Sequence, residues 1–334
     1  MRFTFVVPAL ATAARDAARA SEPLTRIASW SAARTPASSL ESAIVQALGV
    51  ATPAAGGDLP IAPATALGAG LEPGAAYVLA AEPVTLVAVR DDVTLAACVD
   101  DLDSDETAAL VAALRAHFAA DGLHFHAPRA SVIYATMAAR PALANAPLAE
   151  AIGGPLSAHP PRGADARTWL RWTTEIQMLL HAHPINAARE RTGRPPVNGL
   201  WFWGGGTLAD LGIVAPFQAH VADDRTGDLV RGLARHAGGE VLRLPASFDA
   251  AVHAVPATRP AAHVVVALPA LRDAATLAWA EGAWLAPAVA ALGRGRIASL
   301  ALVTDRGSWT VPRPGPVARL RARLAPRRFD AGRP

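Results

Sequence analysis

Short runs rich in valine, leucine and aromatic residues recur along this chain, and helix-periodic stretches fall between them. Phe3–Val7, Tyr77–Leu79, Thr85–Val89, Val132–Thr136, Leu200–Trp203, His263–Leu268 and Ser299–Thr304 read as strands. Such alternation restricts the fold to an α/β architecture, in which helices cover the faces of a sheet. With 334 residues, 52% of them hydrophobic, the chain can bury a sizeable core in two domains or one large one. Only 18% of residues are charged, which argues against charge-rich disorder.

Two helices are well signalled. Asp103 and Glu106 form a capping box, and Leu110, Val111, Leu114 and Phe118 follow at helical spacing until Asp121-Gly122. The neighbouring acids Asp101, Asp103 and Asp105 do not make a calcium loop. Its sixth position would be Glu106 instead of glycine, and its twelfth Ala112 instead of glutamate. The second helix is expected over residues 164–182, with Trp169, Trp172, Ile176, Leu179 and Leu180 as its apolar stripe. The Ala-, Pro- and Gly-rich stretches 51–74 and 140–162 read as irregular connections. They suggest a core of residues 1–74 and 166–312, an inserted α+β subdomain of residues 75–165, and a basic tail over 313–334.

The basic charge is concentrated in that tail. The chain has no lysine, and residues 313–334 carry seven arginines against one aspartate. The rest sets 24 arginines against 27 acids, so a nucleic-acid-binding surface over the whole fold is not expected. Val317, Leu320 and Leu324 recur between Arg319, Arg321 and Arg323, as in a short helix docked on the body or touching an acidic lipid or partner surface. No uncharged apolar run reaches the ~18–20 residues of a membrane helix, and no membrane association is expected. The single cysteine, Cys98, excludes an internal disulfide and any multi-cysteine metal site. The N-terminal run Phe3–Leu10 could mimic a signal peptide. Its shortness and Pro8 favour a first strand followed by a helix, and a cytoplasmic protein.

Residues with chemical potential cluster between Glu175 and Gly206. Pro184 breaks the helix, since proline suits a first turn and not a helix interior, so a second helix starts there with Asn186 and Arg189 on one face. Gly193 ends it, Asn198 leads into a strand, and Gly204-Gly205-Gly206 follow directly. Glycines after a strand let backbone N–H groups approach an anion, and an arginine fork can hold a phosphate or carboxylate. One reading is an anion pocket of His183, Asn186, Arg189, Asn198, Gly204, Gly205 and Gly206. The other is structural: Arg189 pairs with an acid or a helix-end carbonyl, His183 caps, and the glycines turn. Spacing leaves both open. His124 and His126 share a strand face without an evident third metal ligand, and Asp305-Arg306-Gly307 reads as a turn.

The run Glu175–Arg189 (EIQMLLHAHPINAAR) and Pro196–Gly206 (PVNGLWFWGGG) resembles the signature of RpfE-type regulatory proteins of proteobacteria. Ala81–Leu86, Ala119–Leu123 and Asn145–Leu148 are similar too. More distantly, His183, Pro184, Asn186, Arg189, Gly204 and Gly206 are similar to a core of the archaeal-type cofactor-independent phosphoglycerate mutases, of the alkaline phosphatase superfamily. That resemblance implies a truncated alkaline-phosphatase-like core. In the enzymes it goes with two metals held by Asp and His and a serine that accepts the phosphoryl group.

The positions that would carry this chemistry depart from the pattern. The first strand ends Val6-Val7-Pro8-Ala9. The serine region falls near Leu59-Pro60, with Thr65 the nearest hydroxyl. Tyr134-Ala135, Pro147-Leu148-Ala149 and Leu268-Pro269-Ala270-Leu271 stand where the inserted-domain motifs and further ligands would be. Asp305 alone survives from the late motif, followed by Arg306. The expectation is therefore a pseudoenzyme: a non-catalytic regulatory or binding protein, without metal or cofactor, taking a small anionic metabolite or a protein partner. The alternative is an active phosphotransferase or phosphatase with relocated ligands drawn from Asp305, His263, Asp58 and Asp273.

Overall fold

The computed structural model describes residues 1–16, 21–50, 59–212, 214–256, 262–327 and 329. Its strands are β1 (Arg2–Val6), β2 (Ala33–Thr35), β3 (Tyr77–Val89), β4 (Asp92–Cys98), β5 (His124–Arg129) and β6 (Val132–Met137), then β7 (Gly199–Gly206), β8 (Gln218–Val221), β9 (Glu240–Arg243), β10 (His263–Ala267), β11 (Ser299–Thr304) and β12 (Gly307–Pro312). The chain divides into two compact units, Met1–Ala51 with Ile213–Pro334, and Thr52–Gly212.

The first unit is a seven-stranded sheet in the order β2-β12-β11-β1-β10-β8-β9. The five strands from β11 to β9 run parallel; β12 pairs antiparallel with β11, and β2 antiparallel with β12. The expected first strand sits at the centre. Phe3, Thr4, Phe5 and Val6 are all buried, the pattern of a parallel strand covered on both faces. Phe3 and Phe5 pack against Phe248 and Trp284. Trp284 belongs to a helical stretch over residues 274–294, with a π-helical turn at Glu281–Leu285 ahead of Pro287. Proline has no N–H for the helix ladder, and the wider turn absorbs the mismatch. This stretch is long and apolar enough to cross a membrane by length and composition alone. Leu277, Trp284, Leu285, Ala288 and Leu292 place one side of it in the core of this unit.

The tail helix, Pro316–Leu324, is held mainly by polar contacts. Arg319 donates to the Pro314 and Gly293 carbonyls. Val317, Leu320 and Leu324 are 63%, 57% and 77% exposed, so the apolar stripe expected to dock the helix points outward.

The second unit is organised around β3, which pairs antiparallel with β4, β6 and β7. The sequence suggests two strands here, Tyr77–Leu79 and Thr85–Val89. The structure has one of thirteen residues, with the Pro83 carbonyl still used by the Val99 N–H. The helices Ser104–His117 and Ala166–His181 contribute Leu110, Leu114, Trp169, Ile176 and Leu180 to a core with Phe125 and Phe202. Asp103 and Glu106 form the expected capping box. The division therefore falls near residues 52 and 212, not at 75 and 165. The reason is β7: its register runs alongside β3 from Val78 to Val84, which draws residues 166–206 into the inserted unit. The tail lies with the first unit.

Two histidines tie the first unit to pH. Burial, helped by the charge of Arg2, lowers His263 to about 4, while its ring contacts the Thr4 hydroxyl at 2.9 Å. Burial also lowers His220. The folded state holds both rings neutral, whereas the unfolded chain protonates near pH ~6.5. Stability is therefore fully present above ~6.5 and falls as pH drops towards 4. Urea denaturation at pH 7.5 and pH 5 should show this loss, and His263→Gln should flatten it.

Candidate functional site

The signature segment folds as its prolines and glycines dictate, but its polar groups turn inward. The first helix ends at His181, His183 caps the next, and Pro184 opens it as far as Arg191. The His183 ring accepts the Ile185 N–H at 3.4 Å, and burial lowers its pKa. Asn186 donates to the carbonyls of Leu180 and Val197 at 2.7 and 2.9 Å and accepts the Val197 N–H at 2.8 Å. One amide thus braces the end of one helix against the approach to β7. Asn198 does the same for β3, accepting the Leu86 N–H at 2.7 Å and donating to the Leu86 carbonyl at 2.8 Å.

Arg189 corrects the anion-pocket expectation. Its side chain is 0% exposed. Nε donates to the Pro195 carbonyl at 2.7 Å, Nη1 to Glu106 at 3.1 Å and Nη2 to Asp101 at 2.5 Å. Glu106 also takes a two-point contact from Arg194, at 2.7 and 3.3 Å. The guanidinium's anions are already in the fold, on a helix start far away in sequence.

The glycine triplet is likewise a packing device. Gly204 has φ +70°, and a Cβ on Gly204, Gly205 or Gly206 would strike Ile61, the Tyr77 ring or Pro60 respectively. These glycines let β7 lie directly against neighbouring chain. His183, Asn186, Arg189, Asn198 and the triplet are brought together, as the sequence suggests, but as a brace and not as a cradle.

A two-metal centre does not fit the residues present. In parallel α/β sheets, ligands gather beyond the carboxyl ends of the strands. There β1 continues as Val7-Pro8-Ala9 and β10 as Leu268-Pro269-Ala270. After β8, Asp223 is paired with Arg231 and Asp224 caps a helix. Asp305 follows β11 beside Arg306, in the tight turn to β12. The ends of β8 and β11 are three strand spacings apart, ~14 Å.

The relocated ligands do not assemble either. His263 lies level with Arg2 and Ser299, at the opposite end of the strands from Asp305 and two strands away, so roughly 22 Å separates them. Asp273 caps the helix Ala274–Ala280. Asp58 lies outside the described residues. The Thr65 hydroxyl donates to the Ala62 carbonyl within its own helix. His126 contacts Thr136 at 2.8 Å. Among the described residues, no three His, Cys, Asp or Glu side chains converge as a metal site would require.

Sequence reasoning missed a different feature. A cavity of about 250 Å³ lies within the second unit, between residues 145–161, the helix Ala166–His181 and β7. Its walls include Trp169, Trp201 and Phe202, and two of its polar groups are Asn145 and His159. The signal was the tryptophan content around 169–203, read only as a helix stripe and a strand.

Arg189→Ala leaves Glu106 with one partner fewer in a buried site. Arg194 still holds Glu106 and Asp101 is 46% exposed, so the expected loss is about 2–3 kcal/mol, below that of a fully stranded buried charge, read from chemical denaturation. Inorganic phosphate and 3-phosphoglycerate should leave the Tm of the unmodified protein unchanged.

No protein-family model matches the sequence. The 2,3-bisphosphoglycerate-independent phosphoglycerate mutase of Methanothrix thermoacetophila is 32% identical over 101 residues, 28% of this chain and 24% of that protein. The match thus spans about a quarter of the curated relative. The PH0037 protein of Pyrococcus horikoshii superposes with a TM-score of 0.52 at 14% identity, over 93% of this chain and 85% of that one. For the cofactor-independent phosphoglycerate mutase of Thermoplasma acidophilum the TM-score is 0.45 at 15% identity, over 93% and 88%. The chain is a mixed α/β protein with a fold similar to that of the PH0037 protein and a distant sequence similarity, over about 28% of its length, to 2,3-bisphosphoglycerate-independent phosphoglycerate mutases.

Proposed function

We propose that this chain is a non-catalytic binding or regulatory protein, built on an alkaline-phosphatase-like fold and without phosphomutase activity. One observation carries the reading: the carboxyl ends of the parallel strands present Val7, Pro8, Leu268 and Pro269, and the few acids nearby are paired or capping. Phosphoryl transfer in the similar enzymes needs charge neutralisation on the transferring group. Valine and proline supply no ligand, and Arg306 cannot stand in for an imidazole.

The sequence around Arg189 is retained for a different purpose in this reading. It holds the inserted unit together, so its likeness to the enzymes is one of architecture. A regulatory role would then reside in surfaces and cavities and not in a metal centre.

Purified protein should retain far less than one divalent metal per chain by elemental analysis. With manganese or zinc supplied, 3-phosphoglycerate should give no 2-phosphoglycerate above the blank. Robust conversion, or near-stoichiometric bound metal, would overturn the proposal.

A further inference from the structure

The stretch 140–162 is pinned along its length. Ala144 and Arg162 exchange two backbone hydrogen bonds of 2.9 Å. Gly153 and Gly154 pair with Leu95 on β4, and the Ser157 hydroxyl donates to Asp92. The Trp201 indole donates to the Ala146 carbonyl at 3.0 Å. A connection held at so many points forms a fixed wall, and that wall lines one side of the 250 Å³ cavity, which is open to solvent on another.

The chemistry of the lining is specific. Trp169 and Phe202 are 3% and 4% exposed and meet edge to face at 5.1 Å, forming an aromatic floor. Leu170, 51% exposed, stands at the rim. Asn145 and His159 line the same space, and neither side chain hydrogen-bonds another described residue. An unengaged amide offers a donor and an acceptor side by side. Among the described residues no Arg, Asp or Glu lines the cavity, so a charged guest would shed hydration without a counter-ion. The volume lies just below the ~300–1,000 Å³ of drug-sized pockets, which suits one or two rings.

We propose that this cavity binds a neutral, flat aromatic molecule that presents a carboxamide-like donor–acceptor edge to Asn145. Aromatic walls favour a π-faced guest, and the free amide orients it. The proposal stands whether or not the chain turns over a phosphorylated substrate, so its test is separate from the activity assay.

The test titrates benzamide and indole-3-carboxamide into the full chain at pH 8, followed by tryptophan fluorescence and calorimetry. Saturable binding of at least one is expected, with benzoate and cyclohexanecarboxamide markedly weaker. Asn145→Ala should weaken binding about five- to tenfold while leaving the Tm of the unliganded protein in place. Asn145→Asp, which keeps the shape but loses the donor, should weaken it as well. The proposal is overturned if neither amide saturates up to its solubility limit, if both variants bind as tightly as the unmodified protein, or if benzoate binds as well as benzamide.

Discussion

A guanidinium cannot shed its charge inside a protein, so a chain that buries one must bring carboxylates to meet it. Arg189 is such a group, and much of the second unit is arranged around that requirement. Glu106 closes the capping box of one helix and receives both Arg189 and Arg194. Asp101 and the Pro195 carbonyl complete the shell. A helix start, a proline-rich loop and the approach to β7 are thereby fixed together. Such a pair adds little net stability over a well-packed apolar cluster, since desolvation offsets the attraction. Its effect is selective: a chain that misplaces any of these elements strands a charge.

What was legible in the sequence was local. The capping box at Asp103, the break at Pro184, the stop at Gly193 and the Asp305–Gly307 turn follow from short-range backbone chemistry, and each is found. β1, β10 and β11 were visible because parallel strands buried on both faces are unbroken apolar runs. The continuity of β3 through Pro83 was hidden, because a neighbouring strand decides whether a proline carbonyl is used. The unit boundary was misplaced for the same reason: the pairing of β7 with β3 links residues more than a hundred positions apart.

The site was the least legible part. Seen along the chain, Arg189 shares a dense polar segment with the Gly204–Gly206 triplet and looks ready for a phosphate. Its actual partners lie 83 and 88 residues earlier. Spacing cannot show that a charge is already satisfied. Asn145 and His159 carry no motif at all, and their interest arises only because Ala144, Ala146 and Gly153 are tied down around them.

The order of the strands also bears on how the chain is made. β1 is synthesised well before its partners, which begin at His263 and Ser299. The whole of 52–212, by contrast, is one unbroken stretch. The nascent chain therefore completes the inserted unit while the apolar β1 still lacks both neighbours, and the parallel sheet can close only after synthesis has passed residue 299. Contacts of such long range make closure slow and leave hydrophobic surface uncovered meanwhile, so chaperone demand should fall on β1 and not on the unit that carries the aromatic cavity.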